Sequence, residues 1–370
     1  MHPLTAASAS PATDPRFDAV CLGESMVTFL PSRPGGLAEV PSFERALGGA
    51  ESNVACTLAG AGHSARWVSR VGADGFGDYL VQAVSSYGVD TSAVTRDPER
   101  RTGVYFRTGG ERPTGIAPSV PSVPGASGAR QAEVLYYRSG SAASAISPQN
   151  TDTADTDAGR VLHLTGITPA LSEDCLALMR ALTAPRPGRP LVSFDVNLRI
   201  GLWREAPDTP DVLLELARGC DLVFVGEDEA EAAWGITGGP RAIRSALPEP
   251  AALVVKQGPA GATAFTGDAP TGVFSPAPSV EVVTPVGAGD AFAAGFLSAS
   301  LRGLELAARL RHGHLTAAAA LTVPGDLAAP PSRRHADTLA GLSDDAWGTL
   351  RLAPGWTEGA RPCAERAAAP

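Results

Sequence analysis

The chain has 370 residues, of which 44% are hydrophobic, and it carries a formal net charge of −9 at pH 7. This length is sufficient for one large domain or two smaller ones with a substantial core. The acidic balance argues against nucleic acid and against an anionic membrane surface as the main partner. The five cysteines include no C-x-x-C pair, which argues against a disulfide framework and fits a reducing, cytoplasmic location.

The predicted elements alternate between short apolar strands and helices. Residues 1–16 are rich in Ala, Ser and Pro, lack the apolar core of a signal peptide, and are expected to be disordered. The expected strands are 17–23, 65–71, 161–165, 191–195, 222–225 and 253–256, with helices near Asn53 and Tyr79. This alternation predicts an α/β fold with a doubly wound, mostly parallel sheet, helices on both faces, and ligands at the carboxyl ends of the strands.

A second, small sheet is predicted outside the main one. Thr102–Arg107 and Glu133–Arg138 have β-type composition with interleaved polar residues, and a Gly/Pro-rich insertion joins them at 109–130. Parts of 27–47 and 102–138 are therefore expected to form a lid over a cleft. The domain that contains both sheets is expected to span 17–345, followed by a loose tail at 346–370.

A glycine-rich turn near the C-terminal end is the most informative motif. Gly287-Ala288-Gly289-Asp290 precedes a segment of helical character, so its backbone N–H groups and the helix dipole suit an anion. Asp290 would be a base beside that anion. A phosphate cradle with an adjacent carboxylate fits a kinase that acts on a hydroxyl group. The sequence contains no G-x-x-x-x-G-K-[ST] motif, and no G-x-G-x-x-G follows its first strand, which argues against a P-loop enzyme and a dinucleotide oxidoreductase.

Two segments are candidates for contacts with a small polar ligand. Gly48–Asn53 is a Gly-Gly turn that opens a helix, and it is equally an ordinary turn with a capping residue. Tyr136-Tyr137-Arg138, with Tyr105 on the neighbouring strand, forms either an amphipathic strand pair or a polar wall over a ligand. In the second interpretation Arg138 is an anion clamp, because its planar guanidinium pairs with two carboxylate oxygens at once.

Three further turns follow predicted strands. Asn197 and Arg199 are two residues apart after one strand, which makes Arg199 a second anion clamp or a surface ion-pair partner. Gly226-Glu227-Asp228-Glu229 places three acids at a helix start, where they complement the dipole or, through Glu229, order Mg²⁺ and its waters. Lys256–Ala262 is a glycine turn whose bare backbone a nucleotide could approach.

These segments together resemble the ribokinase-like, or PfkB, family of carbohydrate kinases, over about residues 17–339. Gly48–Asn53 is similar to the N-terminal signature of the family and Val286–Phe292 to its C-terminal signature. Tyr136–Ala142 and Asp195–Arg199 are similar to segments of the 2-keto-3-deoxygluconate kinases within that family. The chain departs from the family at Gly226, at Thr284-Pro285 and at His314, which leaves the phosphate, monovalent-cation and nucleotide contacts there open.

The resemblance implies a set of contacts for each ligand. Substrate contacts are implied at Gly49, Ala50, Asn53, Tyr105, Tyr136, Tyr137, Arg138, Ile167, Arg199, Asp290 and Asp326. Nucleotide contacts are implied at Gly226, Lys256, Gly258, Gly261, Ala262, Gly287, Gly289 and His314. The catalytic turn is implied at Gly287, Ala288, Gly289 and Asp290, with Glu229 bound to Mg²⁺ through water.

The implied reaction is phosphorylation of the terminal hydroxyl of 2-keto-3-deoxygluconate by Mg·ATP, with Asp290 as base and 2-keto-3-deoxy-6-phosphogluconate as product. A sugar acid accounts for two arginines in the pocket, since a charge-assisted hydrogen bond contributes about 1.5–3 kcal/mol. The alternatives are a fructokinase, a ribokinase, a kinase of a related deoxy-keto acid, or a catalytically silent sugar- or nucleotide-binding regulator. Because an exposed small sheet has edges that can pair, a homodimer or higher homo-oligomer through the lid is also expected.

Overall fold

The structure is a computed structural model that describes residues 15–33, 35–108, 134–203 and 209–358. The predicted Gly/Pro-rich insertion and most of the predicted disordered start lie outside the described residues. The described strands are β1 Phe17–Leu22, β2 Met26–Pro31, β3 Phe43–Gly48, β4 Ala65–Gly72, β5 Val94–Asp97, β6 Val104–Arg107, β7 Val134–Tyr137, β8 Gly159–Thr165, β9 Leu191–Asp195, β10 Leu222–Gly226, β11 Ala252–Lys256, β12 Gly261–Thr266, β13 Ala269–Pro276, β14 Ser279–Val280 and β15 Arg351–Leu352. The described α-helices are α1 Ala50–Gly60, α2 Gly75–Ser86, α3 Thr153–Thr156, α4 Glu173–Thr183, α5 Ile200–Trp203, α6 Thr209–Arg218, α7 Glu227–Trp234, α8 Gly239–Ala246, α9 Ala288–Leu301, α10 Leu306–Leu321, α11 Arg333–Ala340 and α12 Asp344–Gly348.

The main sheet has nine strands in the order β13-β12-β11-β10-β9-β8-β1-β4-β5. All neighbours from β5 to β11 are parallel, and β12 and β13 are added antiparallel at one edge. Every residue of β10 is buried, because helices cover both faces of a parallel sheet and leave no strand face for water. The predicted doubly wound α/β fold is confirmed.

The core lies on both faces of this sheet. Alternate residues of β1 point to opposite faces, so Val20 and Leu22 belong to one apolar cluster and Ala19 and Cys21 to the other. Fully burying a large apolar side chain contributes about 1.5–3 kcal/mol, which makes these two clusters the main source of stability. The carboxyl ends of the parallel strands are therefore held rigidly at one edge, where the site lies.

The second sheet has four strands in the order β3-β2-β6-β7. It is formed by the two segments from which the sequence predicts a lid. Strands β2 and β6 pair in parallel, with Thr28 opposite Tyr105, although these two positions are 77 residues apart in the sequence. Tyr105 pairs with Tyr136 across β6 and β7, whereas Phe106 stacks on Phe29 with ring centroids 4.6 Å apart. Because strand side chains alternate, these two pairs lie on opposite faces of the sheet.

Two element boundaries differ from the sequence predictions. Helix α2 begins at Gly75, because the Asp74 side chain caps it by accepting hydrogen bonds from the N–H groups of Phe76 and Gly77. The tail predicted to be loose from residue 346 instead continues α12 and forms β15, which pairs with β14. The physical reason is Trp347, which is 1% exposed and donates its Nε1–H to the Pro276 carbonyl at 2.8 Å. Residues 359–370 lie outside the described residues.

Within the described ranges, no helix combines the length and the apolar character needed to cross a membrane.

Candidate active site

The glycine turn predicted as an anion site opens helix α9. Gly287 is the N-cap residue, with φ 78°, and the first bond back to it runs from the N–H of Ala291 to the Gly287 carbonyl at 2.9 Å. The N–H groups of Ala288, Gly289 and Asp290 precede that bond and stand at the positive end of the helix dipole. A Cβ at Gly287 would overlap the backbone of Asp326, so both its conformation and its surroundings require glycine.

Asp290 is held by two amides from distant parts of the chain. Asn53 of α1 donates its Nδ2–H to Oδ2 at 2.9 Å, and Asn197, which follows β9, donates to Oδ1 at 3.3 Å. Both asparagine side chains are buried. The carboxylate is thereby fixed in orientation with both oxygens as acceptors, which is the arrangement of a base that receives a proton from a neighbouring hydroxyl.

Asn197 owes its position to an uncommon backbone conformation. Its φ of 42° is the single positive value at a non-glycine residue in the part of the chain that the structure describes. Asparagine tolerates this left-handed region better than most residues, and such conformations concentrate at functional sites. The turn aims Asn197 at Asp290, and the next residue, Leu198, donates its N–H to Glu229 Oε1 at 3.1 Å.

Glu229 joins the carboxyl ends of two neighbouring strands. Its Oε2 accepts the N–H of Gly226 at 2.6 Å, while its Oε1 accepts that of Leu198. Glu229 thus fixes the start of α7 against the turn that follows β9. Water-mediated binding of Mg²⁺ by Glu229 stays a prediction, and the described residues contain no group of three or more His, Cys, Asp or Glu side chains placed to hold a metal directly.

The single lysine of the sequence lies beside the anion turn. Lys256, the last residue of β11, donates from Nζ to both oxygens of Asp195 at 2.8 Å. Its Nζ would be 3.6 Å from a Cβ placed on Gly289. Burial raises the pKa of Asp195 to about 6; Lys256 opposes this rise, whereas the charges of Glu229 and Asp290 add to it. This excess of carboxylates over cations fits a ligand that brings its own divalent cation.

The turn predicted to approach a nucleotide connects β11 to β12 at the same edge. Gln257 donates its N–H to the Gly261 carbonyl at 2.8 Å, and Gly258 and Gly261 have φ values of 57° and 142°. A Cβ at Gly261 would overlap the carbonyl of Ser275, whereas nothing lies within 4 Å of one at Gly258. Gly258 therefore leaves open backbone beside Lys256, and Ala262 is buried in β12.

Below the lid, Tyr105 and Asp326 form one hydrogen-bonded unit. Tyr105 donates its hydroxyl to Asp326 Oδ2 at 2.6 Å, and both side chains are buried. A Cβ at Gly48 would overlap the Tyr105 hydroxyl and lie 3.0 Å from Asp326 Oδ2. The Gly48-Gly49 turn, the lid strand β6 and the Gly287 turn thus meet around Asp326.

The two predicted arginine clamps have different surroundings. Arg138 forms an ion pair with Glu24, whose other oxygen accepts the Ser141 hydroxyl at 2.6 Å. Arg199 donates from Nη1 to the carbonyl of Leu198 at 3.1 Å, and it forms no ion pair with a carboxylate of the described residues. In this structure Arg199, rather than Arg138, is available to an anionic ligand.

The aromatic residues of β7 are divided between the two faces of the lid. Tyr136 lies 5.3 Å from Tyr105, centroid to centroid, and burial raises its pKa while the charges of Arg199 and Arg138 oppose the rise. Tyr137 packs against Phe106 on the other face and is 59% exposed. Its side chain therefore does not share a face with Tyr136, because strand side chains alternate.

Two other predicted contact residues are buried. Ile167 lies in the loop after β8 and is 9% exposed. His314 of α10 packs against Phe292 and contacts the Ser275 carbonyl through Nε2 at 3.0 Å. Burial lowers the pKa of His314 to about 4, so its ring is neutral at physiological pH. This environment is that of a core residue, and a nucleotide contact by His314 stays a prediction.

The candidate segment Gly48–Asn53 contains Glu51, to which sequence reasoning gave no separate role and which is buried next to the site. Its Oε1 accepts the hydroxyls of Thr165 at 2.7 Å and Thr168 at 2.9 Å, so it ties α1 to the loop that carries Ile167. A Cβ at Gly23 would overlap its carboxyl group. Burial raises the pKa of Glu51 to about 7, and the two threonine bonds oppose the rise.

Glu24 and Arg107 were also missed. Arg107 follows Tyr105 by two residues on β6, so period-two alternation could have placed both on the inner face of the lid. Glu24 is the second residue after β1, at the carboxyl edge of the predicted sheet, which is the signal that could have marked it.

A helix N-terminus with free N–H groups, an aspartate held beside it and a second sheet above are features of a kinase that phosphorylates a small hydroxyl compound. The comparisons with known proteins agree. The family model described as pfkB family carbohydrate kinase matches residues 16–120 and 125–333. The chain therefore belongs to the PfkB family of carbohydrate kinases.

Within that family the chain is similar to proteins that are named for different substrates. It is 34% identical to the 2-dehydro-3-deoxygluconokinase of Bacillus subtilis over 320 residues, which are 86% of this chain and 94% of the relative. It is 30% identical over 298 residues, 78% of this chain, to a protein named probable fructokinase-6, chloroplastic, of Arabidopsis thaliana, of which 71% is covered.

A solved structure of an uncharacterized sugar kinase from Pyrococcus horikoshii in complex with ATP has the same fold. The TM-score is 0.71 at 24% sequence identity, with 90% of this chain and 100% of that chain covered. At this level of identity the likeness supports the fold alone.

Proposed function

We propose that the protein transfers the γ-phosphate of ATP to the terminal hydroxyl of 2-keto-3-deoxygluconate, a compound also called 2-dehydro-3-deoxygluconate. The similarity to the Bacillus subtilis enzyme of that name supports the substrate. The observation that carries the proposal is Arg199, whose charge acts on Tyr136 of the lid and on Asp326, and which forms no ion pair with a carboxylate of the described residues. A sugar acid supplies the carboxylate that such a group pairs with, whereas a neutral sugar does not.

Asp290 is the general base in this proposal. The substrate hydroxyl gives its proton to Asp290 while its oxygen attacks the γ-phosphorus, and the bond to the bridging oxygen of ADP breaks. Asn53 and Asn197 keep the carboxylate oriented during this step. A positioned base typically contributes about 10²–10⁴-fold in rate.

The N-terminus of α9 binds the transferred phosphoryl group. The N–H groups of Ala288, Gly289 and Asp290 donate to its oxygens, and Lys256, the single lysine of the sequence, lies beside them. Such fixed donors stabilise the charge that develops in the transition state. Mg²⁺ brought with ATP would neutralise charge on the phosphates, and Glu229 and Asp195, whose charges act on each other at this edge of the sheet, are the acids that would influence it.

The sugar acid would lie between the lid and the carboxyl ends of the strands. Arg199 holds its carboxylate, Tyr105 and Tyr136 line the lid side, and the free lone pairs of Asp326 Oδ1 accept a hydroxyl. A charge-assisted contact contributes about 1.5–3 kcal/mol, enough to discriminate against a neutral analogue by one to two orders of magnitude. Arg138 contributes a second contact only where the substrate competes with Glu24.

A fructokinase is the second candidate. Two of the three arginines around the pocket, Arg107 and Arg138, already have carboxylate partners, so the positive charge offered to a substrate is smaller than the sequence suggests. The similarity to a plant protein named as a probable fructokinase is consistent with this candidate. A requirement for the substrate carboxylate discriminates between the two.

The test is a coupled assay of ADP release with Mg·ATP and 2-keto-3-deoxygluconate, fructose or ribose. We expect turnover with the keto acid, a large rise in its KM in Arg199→Ala, and little change in Arg180→Ala, which removes an exposed arginine. Asp290→Asn is expected to lower kcat by at least about 10²–10⁴-fold, the typical contribution of a positioned base, while ATP still binds. Turnover with fructose alone would refute the sugar-acid proposal and keep the kinase mechanism.

We also propose a homo-oligomer and a cytoplasmic location. The lid sheet ends in two edge strands, β3 and β7, which a second copy could pair with. The four cysteines in the described residues are free thiols, which fits a reducing compartment. A monomeric mass in light scattering at assay concentration would contradict the oligomer.

A further inference from the structure

Arg107 is a charged residue of the lid to which neither the motifs nor the proposed mechanism give a task. It is the last residue of β6, and its side chain is 8% exposed. Its Nη1 lies 2.8 Å from Oδ1 of Asp326, whose side chain is 6% exposed. A buried charge pair of this kind is costly to form, and removing one partner leaves the other without compensation.

Asp326 connects the lid to the phosphate-binding turn. Its Oδ2 accepts the hydroxyl of Tyr105 from the same lid strand, and its backbone fills the space where a Cβ of Gly287 would lie. The position of the Asp326 carboxylate therefore depends on β6, and the position of its backbone determines the start of α9. A displacement of β6 would therefore be transmitted to the start of α9 through Asp326.

The contact between Arg107 and Asp326 leaves one acceptor open. Although the two atoms are 2.8 Å apart, Oδ1 receives no aligned hydrogen bond from any described residue. Arg107 thus compensates the charge of this carboxylate, while Oδ1 keeps capacity to accept a further hydrogen bond. A buried carboxylate oxygen in this condition is suited to accept a hydroxyl of a bound sugar.

Several charged groups determine the protonation of Asp326. Burial raises the pKa of Asp326. The charge of Arg107 opposes this rise most strongly, followed by the hydrogen bond from Tyr105. The charge of Asp290 on α9 raises the pKa, and that of Arg199 after β9 lowers it. Without Arg107, the carboxyl would hold its proton to higher pH. It would then turn a donor, not an acceptor, toward the substrate.

We propose that Arg107 is a positioning residue for the sugar site: it keeps Asp326 ionised and directed, so that Oδ1 accepts a substrate hydroxyl and the Gly287 turn keeps its geometry. The part that concerns the substrate rests on the proposed function. The part that concerns the charge on Asp326 does not.

The first experiment compares the pH dependence of kcat/KM for the sugar in the wild type, Arg107→Met and Arg107→Lys. Removing an opposite charge at this distance raises a carboxyl pKa by about one to three units. We expect the acidic limb of the pH profile of kcat/KM to move to higher pH by that amount in Arg107→Met. In Arg107→Lys it should stay near the wild-type position. KM for the sugar should rise more than KM for ATP in Arg107→Met. An unchanged limb, or an equal loss of activity at every pH, would overturn the proposal.

A second measurement needs no turnover. The pH dependence of urea unfolding is compared for the wild type, Arg107→Met, Asp326→Asn and the double variant. A raised carboxyl pKa lowers stability as pH rises through the range between the unfolded and folded values. That range should extend to higher pH in Arg107→Met and disappear in both variants that lack the carboxyl group. Identical pH profiles for Arg107→Met and the wild type would refute the charge relation even if no sugar is turned over.

Discussion

Replacing Glu51 by glutamine tests how burial controls the ionisation of this site. Glu51 is fully buried, and its pKa is raised from 4.5 to about 7. The side chain of glutamine is nearly isosteric and still accepts the Thr165 and Thr168 hydroxyls through its oxygen, but it cannot ionise. The effect on stability must therefore depend on pH.

The magnitude follows from the two pKa values. Below pH 4.5 the folded and unfolded states both carry the proton, whereas between pH 4.5 and 7 the unfolded state releases it first. The wild type consequently loses stability as pH rises through this window. One pKa unit corresponds to about 1.36 kcal/mol, so the shift is equivalent to about 3 kcal/mol. Glu51→Gln should gain this amount relative to the wild type between pH 4.5 and 8.

The assay is urea unfolding of both proteins at pH 4.5, 6 and 8, followed by circular dichroism. The unpaired amide of glutamine has its own cost, about 1–3 kcal/mol, but this cost is the same at each pH and cancels in the comparison. Glu44→Gln, at an exposed position, is the control and should give a difference that does not vary with pH. A pH-independent difference for Glu51→Gln as well would refute the assignment of a raised pKa to Glu51.

Three further substitutions test the site and the C-terminal segment. Gly287→Ala places a Cβ at a φ of 78° and against backbone, so KM for ATP should rise at least tenfold in steady-state kinetics, whereas Gly75→Ala, with open space around it, should not change it. Trp347→Ala should lower the free energy of unfolding by about 3–5 kcal/mol, and a loss below 1 kcal/mol would mean that the segment beyond residue 345 is not part of the core. Lys256→Met leaves the buried carboxylate of Asp195 unpaired and should cost about 3–5 kcal/mol in urea unfolding; a neutral effect would contradict the ion pair.

The sequence by itself determined the layered fold and the local form of each turn. Continuous apolar strands such as Leu222–Gly226 can be buried only between two helical layers, and the glycine turn before Asp290 can open only a helix with free N–H groups. Interleaved polar residues likewise separated the lid from the main sheet. These features depend on neighbours within a few residues, which is the range over which backbone geometry and hydrophobic periodicity act.

The tertiary structure alone decided which side chains meet. Asn53 and Asp290 are 237 residues apart in sequence, and Tyr105 and Asp326 are 221 apart, so no local pattern relates them. Glu24 and Arg138 are likewise 114 residues apart in sequence, and no local pattern predicts their ion pair. That pair leaves Arg199 as the arginine available to an anion. Which charge compensates which in a buried pocket depends on distances between elements, because electrostatic energy is set by separation and burial rather than by order along the chain.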